Sequence, residues 1–182
     1  MGKKKIGIED LRRFAFVSDP QVSPDGETIA FVVTKIRYQN DRYEGHLWTL
    51  DRNLGIAKQL TFGDGVDPYP RWSPDGKNLL FLSSLRKPEH KNNTLWFIPL
   101  RGGESRLIAE MEMAVTNPMW SPNSKKILFL SKVWTEEKPK SDVKIIKRIK
   151  YKRNGLGFFE GRRPHLFTVD TSGKSQQITD GD

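Results

Sequence analysis

Three apolar runs of similar length punctuate an otherwise polar chain: Thr28-Ile29-Ala30-Phe31-Val32-Val33, Asn78-Leu79-Leu80-Phe81-Leu82 and Lys126-Ile127-Leu128-Phe129-Leu130. Five or six residues bounded by turn formers predict strands, and because apolar residues barely alternate with polar ones, the strands are expected to be covered on both faces. Each run stands at the same place in a longer unit. The segments PQVSPDGETIAFVVT (20–34), PRWSPDGKNLLFLSS (70–84) and PMWSPNSKKILFLSK (118–132) align without gaps, with Ser23, Ser73 and Ser121 spaced by 50 and 48 residues. A second element follows each run: HLWTLD from His46, TLWFIP from Thr94 and HLFTVD from His165. A third closes each unit: KQLTFGDG from Lys58, SRLIAEM from Ser105 and QQITDGD from Gln176. Ordered self-similarity at this period is the mark of a repeat architecture.

The physical content of the motifs fixes the unit. In Ser-Pro-Asp-Gly, proline presets φ at the second position, aspartate tolerates the third and glycine accepts the fourth, so the four residues predict a tight turn. With a short strand ending at Val22, Trp72 or Trp120, each unit offers four strands in about 48 residues, the composition of a β-propeller blade. The fold class expected is therefore all-β: a partial β-propeller of about three four-stranded blades, with a short helix over Gly7 to Phe16. The division expected is an N-terminal segment (1–16), blade 1 (17–65), blade 2 (66–113) and blade 3 (114–182). A sandwich of hairpins also shows regularly spaced strands, but gives no reason for one turn sequence to recur. Trp72 and Trp120 are expected to pack between blades. Three blades do not close a ring, so the sequence reads as part of a longer protein or as a chain that self-associates through open blade edges.

Blade 3 is longer by about 23 residues, and the excess, 134–163, changes the charge picture. The chain has 31 Lys+Arg, 22 Asp+Glu and a formal net charge of +9 over 182 residues. Residues 132–163 carry +7 and residues 1–13 carry +3, leaving a body close to neutral. Val143, Ile145, Ile149 and Tyr151 alternate with Lys144, Lys150 and Lys152, which predicts a strand or hairpin, and Gly155, Gly157 and Gly161 mark a turn region around Phe158 and Phe159. One reading is a hairpin with a solvated basic face. Another is nucleic-acid binding through basic groups interleaved with aromatics, which would weaken steeply with salt.

Candidate chemistry is sparse. There is no cysteine, which excludes a disulfide framework, a thiol nucleophile and cysteine zinc sites. No G-x-S-x-G nucleophile elbow occurs. Ser23, Ser73 and Ser121 precede proline in turns, and Gly173-Lys174-Ser175 reads as a strand connection, so no catalytic residue is expected. His46 and His165 fill the position that Thr94 takes in blade 2, His90 lies in a charged loop, and no histidine pair has metal-ligand spacing. Asp64, Asp67, Asp180 and Asp182 follow the fourth strands and are expected to be solvated. No metal or cofactor is expected. Charged residues 9–13 interrupt any apolar segment behind Lys3–Lys5, so a signal peptide and a membrane span are not expected, and a cytoplasmic location is.

Taken together, GIEDLRRFAFVSDPQVSPDGETIAFV, the recurring WSPDGK-type turn and KIIKRIKYKRNGLGFFEGRRPHLFTVDTSGKSQQITDGD resemble the amino-terminal propeller of the prolyl oligopeptidase family of serine peptidases, nearest its acylaminoacyl peptidase and dipeptidyl peptidase-like branch. The similarity covers essentially the whole chain. SPDG turns alone are shared with TolB-like propellers, so a non-catalytic interaction scaffold is the alternative. The resemblance implies a propeller that caps a carboxy-terminal α/β-hydrolase domain bearing the Ser, Asp and His triad, a domain missing from these residues. It also implies a partner in that domain and short peptides as substrates. Under it, the blade 3 insertion would face the hydrolase domain or the substrate cavity, with Arg162 or Arg163 pairing a peptide carboxylate and Phe158 and Phe159 packing on the partner domain. The helix before blade 1 would then brace that domain or cover the propeller edge.

Overall fold

The computed structural model describes residues 5–84, 92–134, 143, 146, 149, 151–153, 157–158 and 161–181. After a 3-10 helix, Ile8–Arg13, the strands run β1 (Ala15–Val22), β2 (Thr28–Arg37), β3 (Arg42–Asp51), β4 (Ala57–Gln59), β5 (Arg71–Trp72), β6 (Asn78–Ser83), β7 (Thr94–Pro99) and β8 (Arg106–Ala109). They continue with β9 (Thr116–Trp120), β10 (Lys126–Trp134), β11 (Lys152–Arg153), β12 (Gly157–Phe158), β13 (Arg162–Asp170) and β14 (Ser175–Gln177). The described residues form three four-stranded antiparallel sheets, β1-β2-β3-β4, β5-β6-β7-β8 and β9-β10-β13-β14, and a two-stranded ladder, β11-β12. Each large sheet takes its strands from one repeat. β5 touches both β1 and β9, so the first strands of the sheets converge at the inner side of the arc.

Packing proceeds face to face. Ala30, Val32 and Leu47 of the first sheet meet Leu79, Phe81, Trp96 and Ile98 of the second. The opposite face of the second sheet, Leu80, Leu82, Leu95, Phe97 and Ile108, meets Trp120, Ile127, Phe129, Phe167 and Val169 of the third, where the Phe129 and Phe167 rings stack at 5.5 Å. Coverage on both faces, expected for every central strand, therefore holds for β6, all of whose residues from Leu79 to Ser83 are buried. β2 and β10 differ: buried and half-buried positions alternate along them. The sequence pattern is the same in all three; among the described residues, the outer two sheets have a packing partner on one face alone.

The start of the chain differs from expectation as well. The helix is of the tight 3-10 type, ends at Arg13, and leaves its residues largely exposed. Ala15 and Phe16 instead begin β1, paired with Lys35 and Thr34, because β2 is long enough to offer ladder partners beyond the core. At the other end, β10 runs through Trp134 and β13 starts at Arg162, so the flanks of the basic insertion are ladder residues. The strand expected over Val143–Lys152, with a turn around Phe158 and Phe159, is placed differently: Lys152–Arg153 pairs with Gly157–Phe158, so Phe158 lies in a strand, and the described Val143, Ile146 and Ile149 belong to none; Lys144, Ile145, Lys150 and Phe159 lie outside the described residues, as do His90 and Asp182.

Candidate functional site

The turn that names the repeat is built by its side chains. Ser73 Oγ donates to Asp75 Oδ1 at 2.6 Å and accepts from Asn78 N–H at 2.9 Å, while Asp75 Oδ1 also accepts from Lys77 N–H at 3.1 Å. The same three bonds recur at Ser23, Asp25, Glu27 and Thr28, and at Ser121, Asn123, Lys125 and Lys126. Backbone bonds from Gly26 to Ser23, Gly76 to Ser73 and Ser124 to Ser121 close each turn. The fourth residue is left-handed, with φ of 77° at Gly26, 69° at Gly76 and 58° at Ser124, which explains glycine in two copies. These serines are structural, and their hydroxyls have no histidine partner among the described residues.

The bonds lower the Asp25 and Asp75 carboxyls below their ordinary 3.8, first through the serine hydroxyl and next through the backbone N–H of Glu27 or Lys77. A depressed folded-state value stabilises the fold above the unfolded value and loses that contribution as pH falls through the folded one. Acid below about pH 4 should therefore weaken the first two turns, while the Asn123 turn, which has no carboxyl, is unaffected. The double variant Asp25→Asn/Asp75→Asn is expected to lose urea resistance less steeply than wild type between about pH 4 and pH 2. Equal slopes would refute the assignment.

The inner strands carry a second repeated feature. The residue before each inner-strand proline has positive φ: Asp19 at 49°, Tyr69 at 66° and Asn117 at 50°. Asp and Asn accept this region with little strain, whereas tyrosine does not. Asp19 and Asn117 sit at register shifts in β1 and β9, and Tyr69 lies just before β5. Here Arg71 Nη1 reaches Asp19 Oδ2 at 2.8 Å and Oδ1 at 3.0 Å, its guanidinium lies 4.7 Å from the Tyr69 ring centroid, and Gln21 donates to Asp19. A polar cluster thus bridges blades 1 and 2 at the inner wall. Repeat alignment hides it, since Asp19 aligns with Tyr69 and Asn117, and Arg71 with Gln21 and Met119. The inter-blade tryptophans behave as expected and add a bond: Trp72 Nε1 donates to Gln21 O at 2.9 Å and Trp120 Nε1 to Arg71 O at 3.1 Å.

At the extended end of blade 3, Arg162 pairs with Trp134 across β13 and β10, stacks its guanidinium 4.2 Å from that ring, and places Nη1 3.2 Å from Met113 Sδ. Arg163, next on the strand and paired with Val133, donates to the Arg162 carbonyl. Phe158 is in β12, opposite Lys152; Phe159 is outside the described residues. Of the four contact candidates, the described structure brings Arg162 and Arg163 together on one strand, and the Arg162 plane is occupied by Trp134.

The remaining polar candidates lie apart from one another. His165 Nδ1 lies 3.3 Å from Thr179 Oγ1, and Thr94 donates to Ser83 O at the same blade position. His46 Nδ1 is buried without a hydrogen-bond partner. Asp67 is not solvated: it is 4% exposed and accepts from Ser83 Oγ at 2.5 Å, because it takes the buried place of Val115 in the next blade. Asp64 pairs with Arg37 at 3.2 Å. Among the described residues, no group of three His, Cys, Asp or Glu is placed to hold a metal ion, and no helix is long and apolar enough to cross a membrane.

Three four-stranded antiparallel blades, stacked face to face with their first strands innermost, define an arc of a β-propeller. No protein-family model matches the chain. A curated relative, the uncharacterized peptidase YuxL of Bacillus subtilis (strain 168), is 30% identical over 188 aligned residues that take in 97% of this chain and 28% of the peptidase. Among solved structures, the Pyrococcus horikoshii acylaminoacyl peptidase superposes with a TM-score of 0.74 at 21% identity, covering 91% of this chain and 25% of that one. The β-propeller domain of the trilobed protease from Pyrococcus furiosus gives 0.54 at 22% identity, covering 92% of this chain and 58% of that domain. The resemblance to the propeller of prolyl oligopeptidase-family peptidases is borne out: the sequence leads to a peptidase, and the fold to a propeller found in an acylaminoacyl peptidase. The chain spans little more than a quarter of the relative it matches.

Proposed function

We propose that these residues are the propeller portion of an acylaminoacyl peptidase-like serine peptidase, limiting access of substrates to an α/β-hydrolase domain that lies outside them. The observation that carries this reading is the 30% identity to a peptidase across 97% of the chain. The described residues supply no nucleophile-base pair, in keeping with a role in access rather than bond cleavage. The insertion at blade 3 is the contact region in this proposal. Phe158 and Phe159 pack on the partner domain, Arg163 meets a peptide carboxylate, and Arg162, laid on Trp134 and Met113, stiffens the strand that presents it. A cytoplasmic location belongs to the same reading. The TolB-like scaffold has less in its favour, since the sequence relative is a peptidase.

The test is a length series of amino-acylated peptides offered to the full-length gene product. Cleavage is expected to fall sharply once the peptide is too long or too folded to pass the propeller, and Arg163→Ala is expected to raise KM with kcat little changed, the signature of lost uniform binding. Equal rates on short peptides and on a folded protein carrying the same terminus would overturn the access role.

A further inference from the structure

We propose that the inner wall of the arc holds a carboxylate-binding site at the boundary of blades 1 and 2, formed by the Nε and Nη2 edge of Arg71 and the hydroxyl of Tyr69. This inference does not rest on the peptidase reading; it follows from how the two side chains are held.

Along the inner wall the three repeats carry the same x-Pro-y pattern, as Asp19 and Gln21, Tyr69 and Arg71, and Asn117 and Met119 around their prolines. The first residue of each pattern has left-handed backbone, and Tyr69, with a φ of 66°, is the one whose side chain is strained there. The fold does not require an aromatic at this place, since Asp19 and Asn117 serve in the sister blades. Strain kept in one member of a repeat points to a use for that side chain. Tyr69 is 37% exposed, and among the described residues its hydroxyl makes no hydrogen bond.

Arg71 is held in place beside it. Its Nη1 donates to both carboxylate oxygens of Asp19, at 3.0 and 2.8 Å, and to the Pro70 carbonyl at 2.7 Å, while the guanidinium lies 4.7 Å from the Tyr69 ring centroid. All of these hydrogen bonds fall on one nitrogen. Among the described residues, Nε and Nη2 have no partner, and neither is a buried atom. Their N–H groups form the planar fork that meets a carboxylate with two parallel bonds. Because the fork is already ordered, binding costs less entropy. Asp19 sets the class of ligand: its negative charge on the other side of the guanidinium favours a singly charged, planar carboxylate over a phosphate dianion. A free small acid and the C-terminus of a short peptide carry the same group, and the test separates them.

For that test the full-length gene product is isotopically labelled at its arginine side-chain nitrogens, and the Arg71 Nε–H signal is assigned by magnetic resonance as the one missing from Arg71→Lys. Sodium acetate and N-acetylalanine are titrated in, with N-acetylalanine amide and inorganic phosphate as controls. Acetate is expected to move the signal until it saturates, and the amide is not. A tighter response to N-acetylalanine assigns the site to peptide ends, and a response to acetate alone assigns it to free small acids. Tyr69→Phe should weaken binding about fivefold through the loss of one hydrogen bond. Tyr69→Asn should weaken it at least as much while leaving the urea midpoint at or above the wild-type value, because asparagine relieves the strained backbone. Asp19→Asn keeps an acceptor for Nη1 and should tighten acetate binding about threefold, since one like charge is removed. An Arg71 signal that neither acid moves, an equal response to the amide, tighter binding of phosphate than of acetate, or a Tyr69→Asn variant that is less stable yet binds acetate as wild type does would overturn the proposal.

Discussion

Replacing Trp120 by alanine is expected to cost about 3–5 kcal/mol of unfolding free energy, the range for removing a large aromatic from a packed core. Trp120 is 9% exposed, lies in the core between blades 2 and 3, and donates to the Arg71 carbonyl. The loss therefore combines a cavity with the loss of the indole hydrogen bond across the blade boundary. Against a typical domain stability of about 5–15 kcal/mol, it should leave blade 3 detached or the whole arc unfolded at modest urea. Trp120→Phe keeps most of the volume and should cost only about 1–2 kcal/mol. The half-buried Trp72, packed against the blade 1 side, should be less sensitive to alanine than Trp120. Urea titrations followed by circular dichroism check the order; equal costs at the two tryptophans would contradict it.

The second large effect is expected at Ser73. Its hydroxyl is fully buried and makes two bonds at once, donating to the Asp75 carboxylate and accepting the Asn78 N–H. Ser73→Ala deletes a charge-assisted bond and orphans a backbone donor, which together should cost about 2–3 kcal/mol. Ser121→Ala should cost about 1 kcal/mol, because Ser121 is half-buried and its side-chain partner is the neutral Asn123. A threefold repeat thus predicts a graded response from one substitution made in different blades. Chemical denaturation of the two variants in parallel tests it, and a Ser121 effect as large as that at Ser73 would show that the hydroxyl partners do not set the cost.

What the sequence disclosed follows from which forces are local. The turn was readable because Ser-Pro-Asp-Gly carries its own proline, glycine and hydrogen-bonding groups within four residues. The tryptophans were readable because they recur at one register next to that turn. Less visible were features that depend on what lies across a blade boundary. Asp67 looks like a loop carboxylate until the structure places it where Val115 is buried, facing Ser83. Asp19 and Arg71 belong to different repeat positions, so comparing like with like passes over their contact. The one-sided burial of β2 and β10 was equally hidden, since their apolar runs match that of β6, and only the stacking order tells which face meets a neighbour. In the insertion, the pairing of Trp134 with Arg162 arises because two long strands continue outward together. In the sequence the two stand at opposite ends of the charged insertion, 134–163, where nothing marks them as continuing one ladder.

The central claim, that this arc belongs to a serine peptidase, is tested most directly by treating the full-length gene product and the 182-residue chain side by side with a fluorophosphonate probe for activated serine. The account predicts labelling of the full-length protein at a single serine outside residues 1–182, and none of the chain itself, whose turn serines are bound to Asp25, Asp75 and Asn123. Folded full-length protein that takes up no label, or label found at Ser23, Ser73 or Ser121, would contradict it.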